Sequence, residues 1–243
     1  MATAIVSVYT SEGFVIGADG LRRDALTGSI VSDKARKIFF AQANKTALSY
    51  AWAGATNLCG PDGTTLFNFL EESVAVAKAF ASGHAGSLVD YVQRFVRTVY
   101  ERLLVANGGE EFGGDLQFLP KGDELTRVLF VGYFDGAPYR MESAILHEQH
   151  KLAGLRFSEP IIAPVDFKVF SGSATMLRRF GPRLNDAPNT LLEATVLTRD
   201  YIQSCKDNQG TDLECRDIGG HIHIASVTPI EGFKWVASFE PIP

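Results

Sequence analysis

The chain has 243 residues, and its 23 Lys and Arg against 28 Asp and Glu give a formal net charge of −5. Nucleic acids and anionic membranes bind concentrated positive charge, and no cluster of basic residues is present, so neither is expected as the main partner. The 46% apolar content is typical of a folded globular protein. No repeat or Pro-rich linker divides the sequence, and one domain over residues 1–243 is predicted.

Neither a membrane span nor a secretory signal is visible in the sequence. The longest apolar stretches, such as residues 128–131, are far shorter than the ~20 residues that a spanning helix requires. The opening residues MATA lack a basic segment followed by an apolar run, so a cytoplasmic location is expected. Cys59, Cys205 and Cys215 lack C-x-x-C spacing, which favours reduced, buried thiols over disulfide bonds or a zinc site.

The first quarter of the chain is predicted to be mostly strand. Residues 3–9 and 14–18 form a predicted hairpin, and residues 36–40 and 46–53 form a second strand pair. Helical periodicity follows the GPDG sequence at residues 60–63. The first predicted helix has apolar residues at helical spacing, namely Leu66, Phe69, Leu70, Val74 and Ala77. The second opens with a capping box and carries one apolar stripe, Leu88, Tyr91, Val92, Phe95, Val96, Val99 and Leu103.

Strands and helices alternate again in the second half. The predicted strands cover residues 126–133, 139–146, 166–170, 221–227 and 233–239, and the predicted helices cover residues 174–180 and 190–205. An Asp-Gly hairpin turn joins the first two of these strands, and a capping box opens the last helix. Antiparallel hairpins that alternate with helix pairs favour an α+β fold of two packed sheets with helices on their outer faces.

Four residues stand at the ends of the first predicted strands: Thr3, Asp19, Lys37 and Gly54. A terminal threonine can catalyse acyl transfer because its own α-amine, with a pKa of about 7.7–8, can accept the hydroxyl proton near neutral pH. A lysine ammonium would keep that amine neutral and stabilise the alkoxide, and an aspartate would hold the ammonium. The backbone N–H of Gly54 could bind the tetrahedral oxyanion. Together these residues suggest an N-terminal nucleophile.

The same residues carry a resemblance that covers nearly the whole chain. From Thr3 to Asp19 the sequence resembles the T-x-x-V-x-V…G-V-V-x-A-A-D pattern of the proteasome β-subunit family of N-terminal nucleophile hydrolases, which includes simpler bacterial homologues. Further similar segments are Arg36-Lys37-Ile38 (K-K-I in the family), Ala53-Gly54 (A-G), Ser171-Gly172-Ser173 (G-S-G) and the GGHIHIA sequence at residues 219–225.

The resemblance implies a four-layer αββα sandwich, in which two antiparallel sheets pack between helix pairs, assembled as a homo-oligomeric ring or spiral. It implies a threonine peptidase that cleaves peptides or unfolded proteins through an acyl-enzyme on Thr3, with no metal and no cofactor. Whether an ATPase acts as a partner is left open. By this resemblance Asp19, Lys37, Ser173 and the Gly54 N–H assist Thr3.

The chain start departs from the family pattern. Removal of Met1 would leave Ala2 attached to Thr3, and Thr3 would then lack the free amine that serves as its base. Activity therefore requires removal of Ala2 as well, either by attack of Thr3 on the Ala2 carbonyl or by another peptidase.

The family's second acid is also displaced. Strict spacing from the Gly-Gly pair gives Cys215 at this position, and Asp217, Glu214 and Asp212 are the alternatives, of which Asp217 is chosen. The GPDG sequence at residues 60–63 interrupts the region where the family's first helix begins, so the pocket wall after Gly54 is left open.

Two other functions stay open: a non-catalytic structural subunit whose Thr3 is never freed, and an N-terminal nucleophile amidase acting on small amides. Ser173 could also cap the following helix, which is compatible with an active-site role. His221 and His223 face the same side of a predicted strand, and packing or an interface is favoured over a metal site because further ligands are not evident. Trp52 could line the substrate pocket or lie in the core.

Overall fold

The computed structural model describes residues 3–23, 29–43, 46–59, 64–81, 86–106, 124–148, 151–163, 167–184 and 188–242. The strands are β1 (Ile5–Thr10), β2 (Gly13–Asp19), β3 (Arg22–Arg23), β4 (Ile30–Ser32), β5 (Ile38–Ala43), β6 (Thr46–Gly54), β7 (Asn57–Cys59), β8 (Thr65–Asn68), β9 (Glu124–Phe134), β10 (Ala137–Glu148), β11 (Lys151–Phe157), β12 (Ile161–Ile162), β13 (Phe167–Ser171), β14 (Ile222–Thr228) and β15 (Gly232–Trp235). The α-helices are α1 (Phe69–Phe80), α2 (Leu88–Ala106), α3 (Ala174–Leu184) and α4 (Leu191–Asp207), and a 3-10 helix covers Leu213–Cys215.

Two large antiparallel sheets organise these elements. The five-stranded sheet has the order β13-β1-β2-β14-β15, and the other has the order β11-β10-β9-β6-β5, with β12 paired to β10. In the first sheet Ile5 pairs with both Ala18 and Ser171, so the chain before β1 lies beside the ends of β2 and β13. In the second sheet Ala51 of β6 pairs with Ile38 of β5.

Three apolar clusters hold the elements together. The first joins β5, β6, β9 and β10 to α1 and α2, and includes Tyr50, Trp52 and Phe95. The second joins the five-stranded sheet to α3 and α4. The third lies between the two large sheets and includes Ile5 and Ile38. The predicted stripe of α2 is confirmed, because the seven residues named above are its buried residues.

The expected four-layer αββα sandwich of two sheets is wrong as a description of this chain. The described residues form four sheets, since β3–β4 and β7–β8 are separate two-stranded ribbons, and more of these residues lie in strands than in helices. The first helix begins later than the predicted apolar spacing indicates, and the cause is local. Asn68 caps α1 by accepting hydrogen bonds from the Leu70 and Glu71 N–H groups, so the helix begins at Phe69 and Leu66 lies in a ribbon instead.

Some predictions fall outside the described residues, namely those on Met1 and Ala2, on the GPDG sequence at residues 60–63 and on residues 107–123. The assignment of one domain to residues 1–243 stays a prediction. Among the helices of the described part, none combines the length and apolar content needed to cross a membrane.

Candidate active site

The Asp19 carboxylate is fully buried at the end of β2 and has four hydrogen-bond donors around it. Its Oδ1 accepts from the Ala4 N–H at 3.0 Å and from Lys37 Nζ at 2.8 Å. Its Oδ2 accepts from the Gly219 N–H at 3.0 Å and the Leu21 N–H at 3.2 Å. A buried carboxylate is costly unless its lone pairs are satisfied, and here donors approach both oxygens. The orientation of Asp19 is therefore fixed.

Lys37 joins this carboxylate to a hydroxyl. Its Nζ lies 2.8 Å from Asp19 Oδ1 and 3.2 Å from Thr3 Oγ1, and the residue is 3% exposed. Lys37 immediately precedes Ile38, the first residue of β5 in the six-stranded sheet. Asp19 ends β2 and Thr3 lies two residues before β1, and both of these strands are in the five-stranded sheet. The lysine thus bridges the two large sheets, and Thr3, Asp19 and Lys37 are brought together as the sequence spacing predicts.

Strand register places Ser173 at the same end of the five-stranded sheet as Thr3. Ile5 pairs with Ser171 in an antiparallel ladder. Ser173 lies two residues after Ser171 and Thr3 lies two residues before Ile5, so both are at the same end of these strands. The Ser173 Oγ lies 2.7 Å from Asp212 Oδ2 and 3.1 Å from Glu214 Oε2. A hydroxyl carries one proton, so it can donate to one of these carboxylates at a time, and the shorter contact favours Asp212.

Asp212 and Glu214 also organise the start of α3. Glu214 Oε2 accepts from the Ala174 N–H at 2.8 Å, and Asp212 Oδ1 accepts from the Glu214 N–H at 2.9 Å. The Ser173 hydroxyl in turn accepts from the Met176 N–H at 3.1 Å, so the predicted capping role is confirmed. The hydrogen bond from Ser173, followed by that from the Glu214 N–H, lowers the pKa of the Asp212 carboxyl.

Asp217, the acid chosen from the sequence, contacts Arg23. Its Oδ1 is 3.3 Å from Arg23 Nε in a partly exposed ion pair, whereas the carboxylates beside Ser173 are Asp212 and Glu214. Cys215 is fully buried and belongs to the apolar cluster under α4. The 3-10 helix that ends at Cys215 explains the difference, because it turns Asp212 and Glu214 back toward α3.

Gly54 ends β6 with φ of +98°, a region that L side chains rarely adopt. A Cβ at this position would lie 3.1 Å from both the Leu125 carbonyl oxygen and the Thr126 Cα. Gly54 is three residues beyond Ala51, which pairs with Ile38 next to Lys37. The residue therefore lies at the same end of β6 as the lysine, in a backbone conformation that requires glycine.

Trp52, His221 and His223 contribute packing. Trp52 is fully buried and its ring lies 5.7 Å from the Phe69 ring, so it is in the core. The His223 ring lies 4.9 Å from that of His221 and 6.2 Å from that of Trp235, and neither of its nitrogens has a hydrogen-bond partner among the described residues. Burial lowers the pKa of His223 to about 4. Within the described ranges, no group of three or more His, Cys, Asp or Glu residues could hold a metal ion.

Sequence reasoning missed Tyr201 of α4. Its hydroxyl donates to the Ser173 carbonyl oxygen at 3.1 Å, and a Cβ on Gly172 would come within 2.4 Å of that hydroxyl. The tyrosine therefore holds the turn that carries Ser173. The local sequence offers no signal for this contact, since Tyr201 also fits the ordinary apolar face of a helix.

Solved structures of Anbu resemble this chain in fold. Anbu from Pseudomonas aeruginosa, described as a helical assembly, is 15% identical with a TM-score of 0.57, and the match covers 96% of this chain and 86% of that one. Anbu (ancestral beta-subunit) from Yersinia bercovieri is 13% identical with the same TM-score and coverage. A mutant of Anbu from Hyphomicrobium sp. strain MC1 is 14% identical, with a TM-score of 0.52 and coverage of 96% and 84%.

The family assignment that the sequence suggested is wrong. No protein-family model matches the chain, and no curated protein matches it either. At 13–15% identity the likeness to Anbu shows the fold alone. The chain therefore has a fold similar to that of Anbu, and its membership of the proteasome β-subunit family is not supported.

Proposed function

We propose that this chain is a subunit of a proteasome-like assembly and hydrolyses peptide bonds with Thr3 as the nucleophile. One observation carries the proposal: Lys37 Nζ lies 3.2 Å from Thr3 Oγ1 and 2.8 Å from Asp19 Oδ1, and all three residues are buried. A cation held beside a hydroxyl in a water-poor site stabilises the alkoxide that forms during attack.

The α-amine of Thr3 acts as the base in this proposal. With a pKa of about 7.7–8 it is partly neutral at physiological pH, and the Lys37 ammonium disfavours its protonation further. The amine takes the proton from Thr3 Oγ1 while that oxygen attacks the carbonyl carbon of the substrate. Asp19 takes no proton, because its role is to hold the ammonium.

The carbonyl oxygen becomes an oxyanion and accepts a hydrogen bond from the Gly54 N–H. Collapse of the tetrahedral intermediate breaks the C–N bond, and the proton held by the Thr3 amine passes to the leaving amine. The acyl group then remains as an ester on Thr3, and a water molecule attacks it with the free amine again as base. The bond between the acyl carbon and Thr3 Oγ1 then breaks, the amine returns the proton to Oγ1, and the peptide acid leaves. This scheme uses no metal and no cofactor.

Ser173 and Asp212 orient the amine. When the Ser173 hydroxyl donates to Asp212 and accepts from the Met176 N–H, one lone pair is still available to the Thr3 amine at the same end of the strands. We propose Asp212 as the second acid in place of Asp217, since Asp212 contacts Ser173 at 2.7 Å whereas Asp217 pairs with Arg23.

The mechanism requires that the bond between Ala2 and Thr3 is broken. We propose that Thr3 Oγ1 attacks the Ala2 carbonyl carbon, that the bond between this carbon and the Thr3 nitrogen breaks, and that the proton of the hydroxyl passes to the nitrogen. Water then hydrolyses the resulting ester and releases the preceding segment. Lys37 is close enough to Thr3 to support this step as well as catalysis. Cleavage by another peptidase would give the same terminus.

Assembly and substrate follow from the fold likeness. The Pseudomonas aeruginosa Anbu is described as a helical assembly, which supports a homo-oligomeric ring or spiral for this chain. We propose peptides or unfolded proteins as substrates because an enclosing assembly admits extended chains. An ATPase that supplies such chains is a further part of the proposal.

Cleavage of a fluorogenic peptide library by the assembled protein tests this function. The wild type should hydrolyse at least part of the library, and Thr3→Ala should reduce the rate to background while the sedimentation coefficient stays the same. Full activity in Thr3→Ala would overturn the proposal. An assembled but inactive wild type that retains Ala2 would favour the structural role instead.

A further inference from the structure

Arg127 of β9 connects the two large sheets. Its Nη2 donates to the carbonyl oxygen of Phe170 in β13 at 2.5 Å, and its Cζ lies 4.6 Å from the centroid of the Phe170 ring. Because β9 belongs to the six-stranded sheet and β13 to the five-stranded sheet, this single side chain links the two.

Both ends of this link are close to residues of the candidate site. Arg127 pairs with Ala53, the residue before Gly54, in the β6–β9 ladder. The adjacent Thr126 pairs with Gly54 and donates from Oγ1 to the Ala53 carbonyl oxygen at 3.1 Å. One end of the link therefore lies at the backbone that carries the proposed oxyanion donor.

The other end lies at the turn that carries Ser173. Phe170 is followed by Ser171, which pairs with Ile5, and then by Gly172 and Ser173. Tyr201 holds the same turn from the side of α4 by donating to the Ser173 carbonyl oxygen. The turn is thus anchored on its outer side by Tyr201 and on its inner side by Arg127.

The chemistry of the link suits arginine. A planar guanidinium can donate to a carbonyl and stack on a ring at the same time, which an ammonium cannot do in one geometry. Burial lowers the pKa of Arg127, and the neighbouring Glu142 carboxylate opposes this shift. The guanidinium stays charged, so the bond to Phe170 is charge-assisted and stronger than a neutral one.

We infer that Arg127 is a positioning residue that sets the distance between the Gly54 N–H and Ser173, and thereby between the oxyanion donor and the group that orients the Thr3 amine. The inference rests on the proposed function. It assigns to Arg127 a role in catalysis without contact to the substrate. A purely structural contact would affect stability alone, whereas a positioning residue affects the rate of the chemical step.

The test compares Arg127→Met with Arg156→Met in the assembled protein. Methionine keeps the apolar stem of residue 127 and removes its donors. Arg156 is an exposed residue of β11 that pairs with Glu124 near the same strand ends, so it serves as the matched control. Arg127→Lys, which keeps the charge and loses the planar group, completes the set.

We expect Arg127→Met to lower kcat about 100-fold with little change in KM, because small misplacements of catalytic groups have effects of this order. Arg127→Lys should recover only part of the loss, and Arg156→Met should match the wild type. An unchanged kcat in Arg127→Met, or an equal loss in both methionine variants, overturns the inference.

Amide hydrogen exchange separates this inference from the proposed function, since it needs no activity. Exchange over residues 170–176 should become about tenfold faster in Arg127→Met, which corresponds to the loss of one charge-assisted hydrogen bond. An unchanged exchange rate contradicts the link. Faster exchange together with an inactive wild type supports the link and counts against the peptidase.

Discussion

The ammonium of Lys37 and the carboxylate of Asp19 form a buried ion pair, in which Nζ lies 2.8 Å from Oδ1 and the side chains are 4% and 0% exposed. Each charge has lost most of its hydration and depends on the other. Backbone N–H groups of Ala4, Leu21 and Gly219 fix the carboxylate. The pair therefore holds a cation at one point beside the Thr3 hydroxyl.

Lys37→Met should abolish peptide hydrolysis and lower the free energy of unfolding by about 3–5 kcal/mol, because the buried Asp19 charge loses its partner. Lys34→Met changes an exposed lysine of the same segment and should stay within about 0.5 kcal/mol of the wild type. Urea unfolding and peptide cleavage measure both effects. Equal stability of the two variants would show that the ion pair is unimportant.

Asp212→Asn should lower the rate of hydrolysis about 100-fold, because the neutral amide oxygen is a weaker acceptor for the Ser173 hydroxyl than the carboxylate and holds it less firmly. Asp217→Asn is the matched control, since it removes an acid that pairs with Arg23, and its rate should equal that of the wild type. Initial rates on one peptide substrate distinguish the two acids. A loss confined to Asp217→Asn would reverse the assignment.

Gly54→Ala should destabilise the protein by about 1–3 kcal/mol and lower kcat, since the added Cβ meets the Leu125 carbonyl oxygen and shifts the proposed oxyanion donor. Gly136→Ala introduces a Cβ at a similar positive φ, +80°, where nothing lies within 4 Å. The control should lose some stability and no activity. Comparable kcat values in both variants would contradict the role of Gly54.

Much of the candidate site can be predicted because strand-end positions depend on local patterns. Thr3, Asp19 and Lys37 flank strands that the alternation of the first quarter indicates, and the hairpin register then brings the first two together. The stripe of α2 is predictable for the same reason, since a helical period repeated over many residues fits one face of a helix and does not fit a strand.

Other features depend on contacts between residues distant in sequence. The contact of Asp212 with Ser173, across 39 positions, depends on the 3-10 helix at Leu213–Cys215, so sequence spacing alone favours Asp217. The Arg127 link depends on the packing of two sheets. The separate ribbon β7–β8 arises because Asn68 delays the start of α1, an effect that periodicity alone does not reveal.

His223 predicts a pH dependence of stability. Burial, followed by the charges of His221, Lys37 and Arg36, lowers its folded pKa to about 4, below an unfolded value of about 6.5. The unfolded chain therefore binds a proton first as the pH falls. The stability that depends on neutral His223 is complete above about pH 6.5 and declines between that value and about pH 4.

Replacement of this imidazole should remove that dependence. His223→Phe keeps a ring against Trp235, and its free energy of unfolding should fall less than that of the wild type between about pH 6.5 and 4. Urea unfolding at half-unit pH intervals measures how steeply the free energy of unfolding changes with pH in each protein. Identical slopes would mean that other groups cause the acid sensitivity.

The most direct test of the peptidase proposal is the intact mass of the chain in a sample that hydrolyses peptide. We predict that the active assembly contains chains beginning at Thr3, that their fraction rises in step with activity, and that Lys37→Met slows their formation. A sample that cleaves peptide while every chain retains Ala2 would contradict the use of a terminal amine as the base.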